Sequence, residues 1–254
     1  MYLSGNIHVI SELNRSNKIS IYLVFMKNKI IISIFWLLGL TDFVANTYGV
    51  SMLAMVVKPL LIPCLLYLFL TETNFAKANN SRLLIVGLIF CWLGDVLLMF
   101  EYKDTIFFIL GLAGFLIGHI FYILYFSKLS TVPQKLKEKK MIMLLPVLLY
   151  VLLLLYVLYP SLGDLKIPVI IYSIVLASML STALWQGQKI ESAIAKLFIA
   201  GAISFVLSDS LLALNKFSHP FISAGFLIMF TYCLAQYLIV LGGIKMFRKQ
   251  QSAR

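Results

Sequence analysis

Apolar residues in this chain come in long blocks, with neither the strict alternation of a half-buried strand nor the one-sided stripe of a surface helix. Eight blocks of about 18 to 22 residues lie near 30–49, 53–71, 83–100, 105–127, 141–160, 167–187, 194–214 and 221–244, each long enough to cross a bilayer as a helix. The connections are short, except for the lysine-rich stretch SKLSTVPQKLKEKK at 127–140, which divides the blocks four and four. The pattern predicts an all-α integral membrane protein with eight transmembrane helices. Its parts are a polar N-terminal arm (1–29), a membrane domain (30–247) and a basic tail (248–254). Within 1–25 the only apolar stretch, ISIYLVFM, is too short to span and has no small-residue cleavage site, so Met26, followed by KNK and the first block, reads as a natural start.

Composition agrees: 61% of residues are hydrophobic and 12% charged, and the mean hydropathy is +0.97. A net charge of +11 raises the question of nucleic acid, but the basic residues follow the loops. Sixteen fall before the first block, in the connections after the second, fourth and sixth, and in the tail, against only Lys103, Lys166 and Lys216 on the other side. By the positive-inside rule both termini are cytoplasmic, and topology accounts for the charge without nucleic acid. Cys64, Cys91 and Cys233 lie within blocks at no metal or disulfide spacing and read as packing residues.

Against this apolar background LGDVLL (93–98) and LSDSLL (207–212) share an acidic residue, and GFLIGH (114–119) resembles GFLIMF (225–230). A parallel duplication of a four-helix unit would place the third helix on the seventh. The ionisable residues within blocks are Asp42, Lys58, Asp95, His119 and Asp209, with Lys196 near a helix start. Each costs on the order of 2.5–3.5 kcal/mol to insert and is expected to face the bundle interior or a cavity. Counting about 1.5 Å per residue from the non-cytoplasmic face puts Lys58, Asp95 and Asp209 at one level, roughly 8–10 Å down, and His119 and Gln236 roughly 21 Å down. Glu101, Asn215 and Lys216 fall at the rim. The expectation is a funnel with two carboxylates and a lysine in its wall.

Plainer readings stand beside this one. Lys58 and Asp95 can be an ion pair that only fixes two helices, and His119 a hydrogen-bonded core residue with Tyr122 one turn away. The glycines at 111, 114 and 118 fit close helix packing better than a phosphate loop. Pro59 and Pro63 predict a break in the second helix beside Lys58. A second carboxylate at the same level is harder to explain by packing, since one acid held protonated beside one ionised is an acid/base arrangement. No G-x-S-x-G or H-E-x-x-H string occurs, and no cofactor or metal is expected.

The strings KPLLIP (58–63), WLGDVLL (92–98), GLAGFLIGHIFYILYF (111–126), GAISFVLSDSLLALNKF (201–217) and YCLAQYLIV (232–240) together resemble the YhhN-type family of multi-pass membrane proteins, whose animal members are lysoplasmalogenases. The resemblance covers roughly 27–247. It implies hydrolysis of the vinyl ether bond of a lysophospholipid, yielding a fatty aldehyde and glycerophosphoethanolamine or glycerophosphocholine. By motif, Lys58, Asp95, His119 and Asp209 match family positions; Asp95 and Asp209 would be catalytic, and Lys58 and His119, with Tyr122, Asn215, Lys216, Tyr232 and Gln236 placed beside them by depth and helix face, would bind substrate. Vinyl ethers hydrolyse by protonation on carbon and capture of the cation by water, chemistry that two carboxyl groups can perform. The partners implied are the lysophospholipid and membrane lipids, and the location a cell membrane, expected to be a bacterial inner membrane. A proton-coupled transporter using the two acids, or a non-catalytic lipid-binding protein, remain the alternatives.

Overall fold

A computed structural model describes residues 26–48, 50–73, 80–129 and 144–252; residues 1–25 of the proposed arm (1–29) and most of the lysine-rich connection lie outside these. The described chain contains nine α-helices and short 3-10 turns: α1 (Met26–Thr47), α2 (Ser51–Val57), α3 (Leu61–Glu72), α4 (Ser81–Leu98), α5 (Thr105–Ser127), α6 (Leu145–Leu158), α7 (Lys166–Gly187), α8 (Ser192–Phe217) and α9 (Ala224–Ser252). With α2 and α3 counted as one broken span, seven helices are long and apolar enough to cross a membrane, and α6 with its 3-10 extension to Ser161 is a shorter eighth. The protein is an all-α, multi-pass membrane protein. The boundaries shift where polar residues continue a helix: α1 already starts at Met26, and α9 carries through the basic tail to Ser252.

The break in the second span follows from its prolines. At Lys58–Leu60 the chain tightens into a 3-10 turn with Pro59 in its first positions. Pro63 has no N–H, so the Pro59 carbonyl four residues earlier lacks its helical donor. The indole of Trp92 on α4 donates to that carbonyl instead, at 2.8 Å. A backbone group that would be orphaned in lipid thereby becomes a link between two spans.

Two helix pairs form the centre, α4 against α5 and α8 against α9, in corresponding halves of the expected duplication. Glycine permits the closeness: a Cβ on Gly114 would lie 3.0 Å from the backbone nitrogen of Gly94, and one on Gly118 would lie 2.7 Å from Cys91 Sγ. On the other pair, a Cβ on Gly201 would meet the Ala235 carbonyl at 3.2 Å. These are small-residue contacts of the kind that membrane helices use in place of a hydrophobic driving force.

Contacts at the helix ends fix the alternation. At one end Asn28 and Arg248 both meet Glu72, Asn80 donates to the Lys128 carbonyl, Gln186 to that of Ser127, and Lys249 pairs with Glu191. At the other end Lys216 pairs with Glu101 at 3.2 Å and Phe108 meets Phe217 edge-on. The first and last described helices thus have their terminal ends on the same side, as eight crossings require, and the charge bias assigns that side to the cytoplasm.

Candidate functional site

Two of the three intramembrane acids, Asp95 on α4 and Asp209 on α8, are each held by a phenol from a neighbouring helix. Asp95 is 2% exposed and accepts a hydrogen bond from the Tyr232 hydroxyl of α9 at 2.5 Å. Behind Tyr232 the donors continue in one direction: Tyr122 of α5 donates to Gln236 Oε1 at 2.7 Å, and Gln236 Nε2 donates to the Tyr232 oxygen at 3.3 Å. The chain Tyr122, Gln236, Tyr232, Asp95 is therefore polarised toward the carboxylate at its end.

Asp209 accepts from the Tyr172 hydroxyl of α7, also at 2.5 Å, and its side chain keeps 10% exposure. His119 Nε2 lies 3.8 Å from Asp209 Oδ2. Helix-depth counting separates these two residues by roughly 12 Å, and the structure overturns that estimate. Two effects close the gap: α8 continues to Phe217, three residues past the expected end, which sets Asp209 deeper, and the two side chains reach toward each other from α5 and α8. His119 is fully buried and neither ring nitrogen has a hydrogen-bond partner. Its ring sits edge-on to Phe205 and Tyr172, and Phe205 also packs edge-on to Tyr122 and Tyr232. Phe205 is thus the apolar floor on which both acid assemblies rest.

The space around the acids is divided, in contrast to the single funnel expected. An apolar cavity between α5, α6, α7 and α8, lined by Leu112, Leu154, Leu158, Leu176 and others, reaches Asp209 and Tyr172. At about 30 Å³ it holds little more than water as it stands. A second, larger cavity of about 310 Å³, lined by Asp42, Asn46, Lys58, Glu101 and Tyr102 among others, lies between α1, α2 and the α4–α5 turn. Asp209 and Asp95 are within electrostatic range of each other, and Asp95 in turn of Lys58 and Asp42. Asp209 thus borders the apolar cavity, Lys58 and Asp42 line the polar one, and Asp95 interacts electrostatically with all three.

Of the residues expected at a site, the structure joins Asp95 with Tyr232, Gln236 and Tyr122, and Asp209 with His119. Lys58 makes no ion pair within 4 Å among the described residues, so the simple Lys58–Asp95 clamp is not formed, although its charge acts on that acid. Asn215 and Lys216 stay at the rim. The Asn215 side chain accepts from the Phe221 backbone at 3.3 Å and shapes the α8–α9 turn, while Lys216 pairs with Glu101 and lies over the Phe108 ring. Sequence reasoning missed Tyr172. A signal existed: the offset of 114 residues that separates Tyr122 from Gln236 also carries Asp95 onto Asp209 and Lys58 onto Tyr172. Asp42 was noticed as an intramembrane charge, but nothing in the sequence tied it to Lys58. Among the described residues no three His, Cys, Asp or Glu side chains cluster closely enough to bind a metal.

No solved structure matches the chain. Curated relatives do: it is 31% identical to lysoplasmalogenase TMEM86A of Homo sapiens over 207 residues, 77% of this chain and 80% of that protein. It is 30% identical to the Bos taurus TMEM86A lysoplasmalogenase over the same shares, and 32% identical to lysoplasmalogenase TMEM86B of Sus scrofa over 71% of this chain and 73% of that one. Residues 53–243, which carry both acids, both phenols, Lys58 and His119, match the YhhN family, and the chain belongs to that family.

Proposed function

We propose that this protein is a lysoplasmalogenase, a membrane hydrolase that cleaves the vinyl ether bond of a lysophospholipid by two-carboxylate acid/base catalysis. The observation that carries the reading is the pair of buried, phenol-bound carboxylates within electrostatic range, one of them at the end of an apolar cavity. The names of the relatives supply the substrate class.

The surroundings divide the roles. Asp209 borders the apolar cavity, where the alkenyl chain would lie, and so faces the chain carbon that must take a proton. It acts as the acid, transferring its proton to the vinyl carbon one removed from the ether oxygen and leaving an oxocarbenium ion. Asp95, at the end of a chain of donors and beside the Lys58 charge, is the ionised partner. It stabilises the cation and takes a proton from the water that captures it, as the second carboxylate does in glycoside hydrolysis. The hemiacetal then collapses to aldehyde and glycerol hydroxyl with no net proton change. The proton left on Asp95 must return to Asp209 before the next turnover, and His119, 3.8 Å from Asp209 with two unpartnered nitrogens, is placed to deliver it there. The small volume at Asp209 means that α6, which packs mainly on α7 and α8 and exposes most of its leucines, has to yield for the chain to enter.

The test is aldehyde release from lysoplasmenyl-ethanolamine and lysoplasmenyl-choline by purified protein, wild type against Asp95→Asn and Asp209→Asn. Wild type is expected to release aldehyde from at least one lipid, and each variant to lose at least about a hundredfold in kcat. No release by wild type from either lipid, or full activity in both variants, would sink the reading.

A further inference from the structure

The polar cavity beside Lys58 contains a group that the hydrolytic chemistry does not use. Asp42 of α1 is 1% exposed, and its Oδ1 has no hydrogen-bond partner. A buried, unmatched carboxylate oxygen on a cavity wall is an uncommon expense for a membrane helix. The Asn46 amide makes its hydrogen bond to the Asp42 backbone carbonyl, at 2.8 Å. Asp42 also lies before residue 53, outside the segment that matches the family.

We propose that this cavity seats the head group of an ethanolamine lysophospholipid, with Lys58 holding the phosphate and Asp42 Oδ1 accepting from the primary ammonium. The proposal rests on the lysoplasmalogenase reading and adds head-group selectivity to it. Its basis is the succession of neighbours from one cavity to the other: Asp209 borders the apolar cavity, Asp95 interacts with Asp209 and also with Lys58 and Asp42, and these last two line the polar cavity. A lysolipid runs the same way: hydrocarbon chain, ether bond, glycerol, phosphate, amine. The cavity of about 310 Å³ is within the size range of a small-molecule site. Its lining includes Glu101 and Tyr102, exposed at the rim, the level at which a lysolipid in that leaflet carries its head. Lysine serves as a point charge for phosphate. The unmatched oxygen calls for a donor as well as a charge. A primary ammonium brings three N–H donors, whereas the trimethylammonium of choline brings none. Choline would instead need a cage of aromatic rings, and of the cavity-lining residues named above only Tyr102 is aromatic, with its side chain largely exposed.

The experiment uses the full chain, purified and immobilised, with radiolabelled saturated ether analogues that cannot be hydrolysed: 1-O-alkyl lysophosphoethanolamine, its choline counterpart, and 1-O-alkyl-glycerol 3-phosphate without an amine. Wild type is expected to bind the ethanolamine analogue about tenfold or more tightly than either of the others. Asp42→Asn is expected to lose that preference while binding the amine-free analogue as wild type does. Equal binding of all three by wild type, binding of none, or an ethanolamine preference that survives Asp42→Asn would each overturn the proposal. If the variant does not fold, the wild-type comparison alone decides. Aldehyde release is scored separately: a head-group preference without release sinks the hydrolase reading, and release without the preference sinks only this one.

Discussion

Tyr172 and Tyr232 perform the same service for the two acids, yet the consequences of losing them differ. Each phenol fixes one carboxyl oxygen and leaves the other free for chemistry. Tyr172→Phe removes the hydrogen bond from the acid that borders the apolar cavity and leaves the ring against His119. Tyr172 positions Asp209 and stabilises the carboxylate that forms as its proton leaves, so kcat is expected to fall about ten- to a hundredfold, the range set by one hydrogen bond to a charged group, with KM little changed. Tyr232→Phe also cuts the donor chain, stranding Gln236 Nε2 in a buried site without its acceptor. That variant is expected to lose both kcat and about 1–3 kcal/mol of stability. Steady-state kinetics together with thermal unfolding in detergent separate the cases, and an equal stability loss in both would contradict the distinction. Asp95 and Asp209 themselves were legible in the sequence because a charge in an apolar block is conspicuous. Tyr172 was not, since a tyrosine within a span is ordinary, and only the 114-residue offset marks it.

At the scale of the helix, the informative features were those that break a rule. Pro59 and Pro63 announced the interruption of the second span, and the structure adds what the sequence could not show, the Trp92 indole that caps the freed carbonyl. Trp92→Phe is expected to cost about 1–3 kcal/mol by orphaning the Pro59 carbonyl. In a Pro63→Ala background, where residue 63 regains an N–H to offer that carbonyl, the same substitution is expected to cost less. Thermal unfolding of the four proteins of this double-mutant cycle measures the difference. An undiminished cost would show that the indole contributes packing alone. The glycines separate just as cleanly. Gly114→Ala drives a methyl into the Gly94 backbone at 3.0–3.1 Å, where nothing flexible can yield, and is expected to destabilise by about 1–3 kcal/mol. Gly225→Ala meets open space and is expected to leave the unfolding temperature unchanged. The length of the apolar blocks located the helices but not their ends, because polar residues can continue a helix past the block, as in α8 and α9.

For the whole molecule, the charge bias and the helix-end contacts answer different halves of one question. The contacts at Glu72, Ser127 and Glu191 define one end of the bundle, and the Glu101–Lys216 pair with the Phe108–Phe217 contact defines the other. Neither says which end is cytoplasmic; the lysines and arginines do. The short helix α6 is the weak point of the topology. Were it to fail to cross, everything after it would be inverted, and the C-terminal end of α9 would emerge on the opposite side from the start of α1. The packing argues that it crosses: Leu158 and Leu162 at its far end cluster with Val169 at the start of α7 and with Phe217 at the end of α8, while Val147 near its beginning joins the main core. Single cysteines at Asp104, Asp164, Gln188 and Gln250, in a background in which Cys64, Cys91 and Cys233 are replaced by alanine or serine, test this directly. In intact cells a membrane-impermeant maleimide is expected to label positions 104 and 164 and to reach 188 and 250 only after permeabilisation. Labelling of 250 with 104 in intact cells would mean that α6 does not cross. It would also leave Asp209 facing the opposite leaflet from Asp95, and no two-acid site could then form.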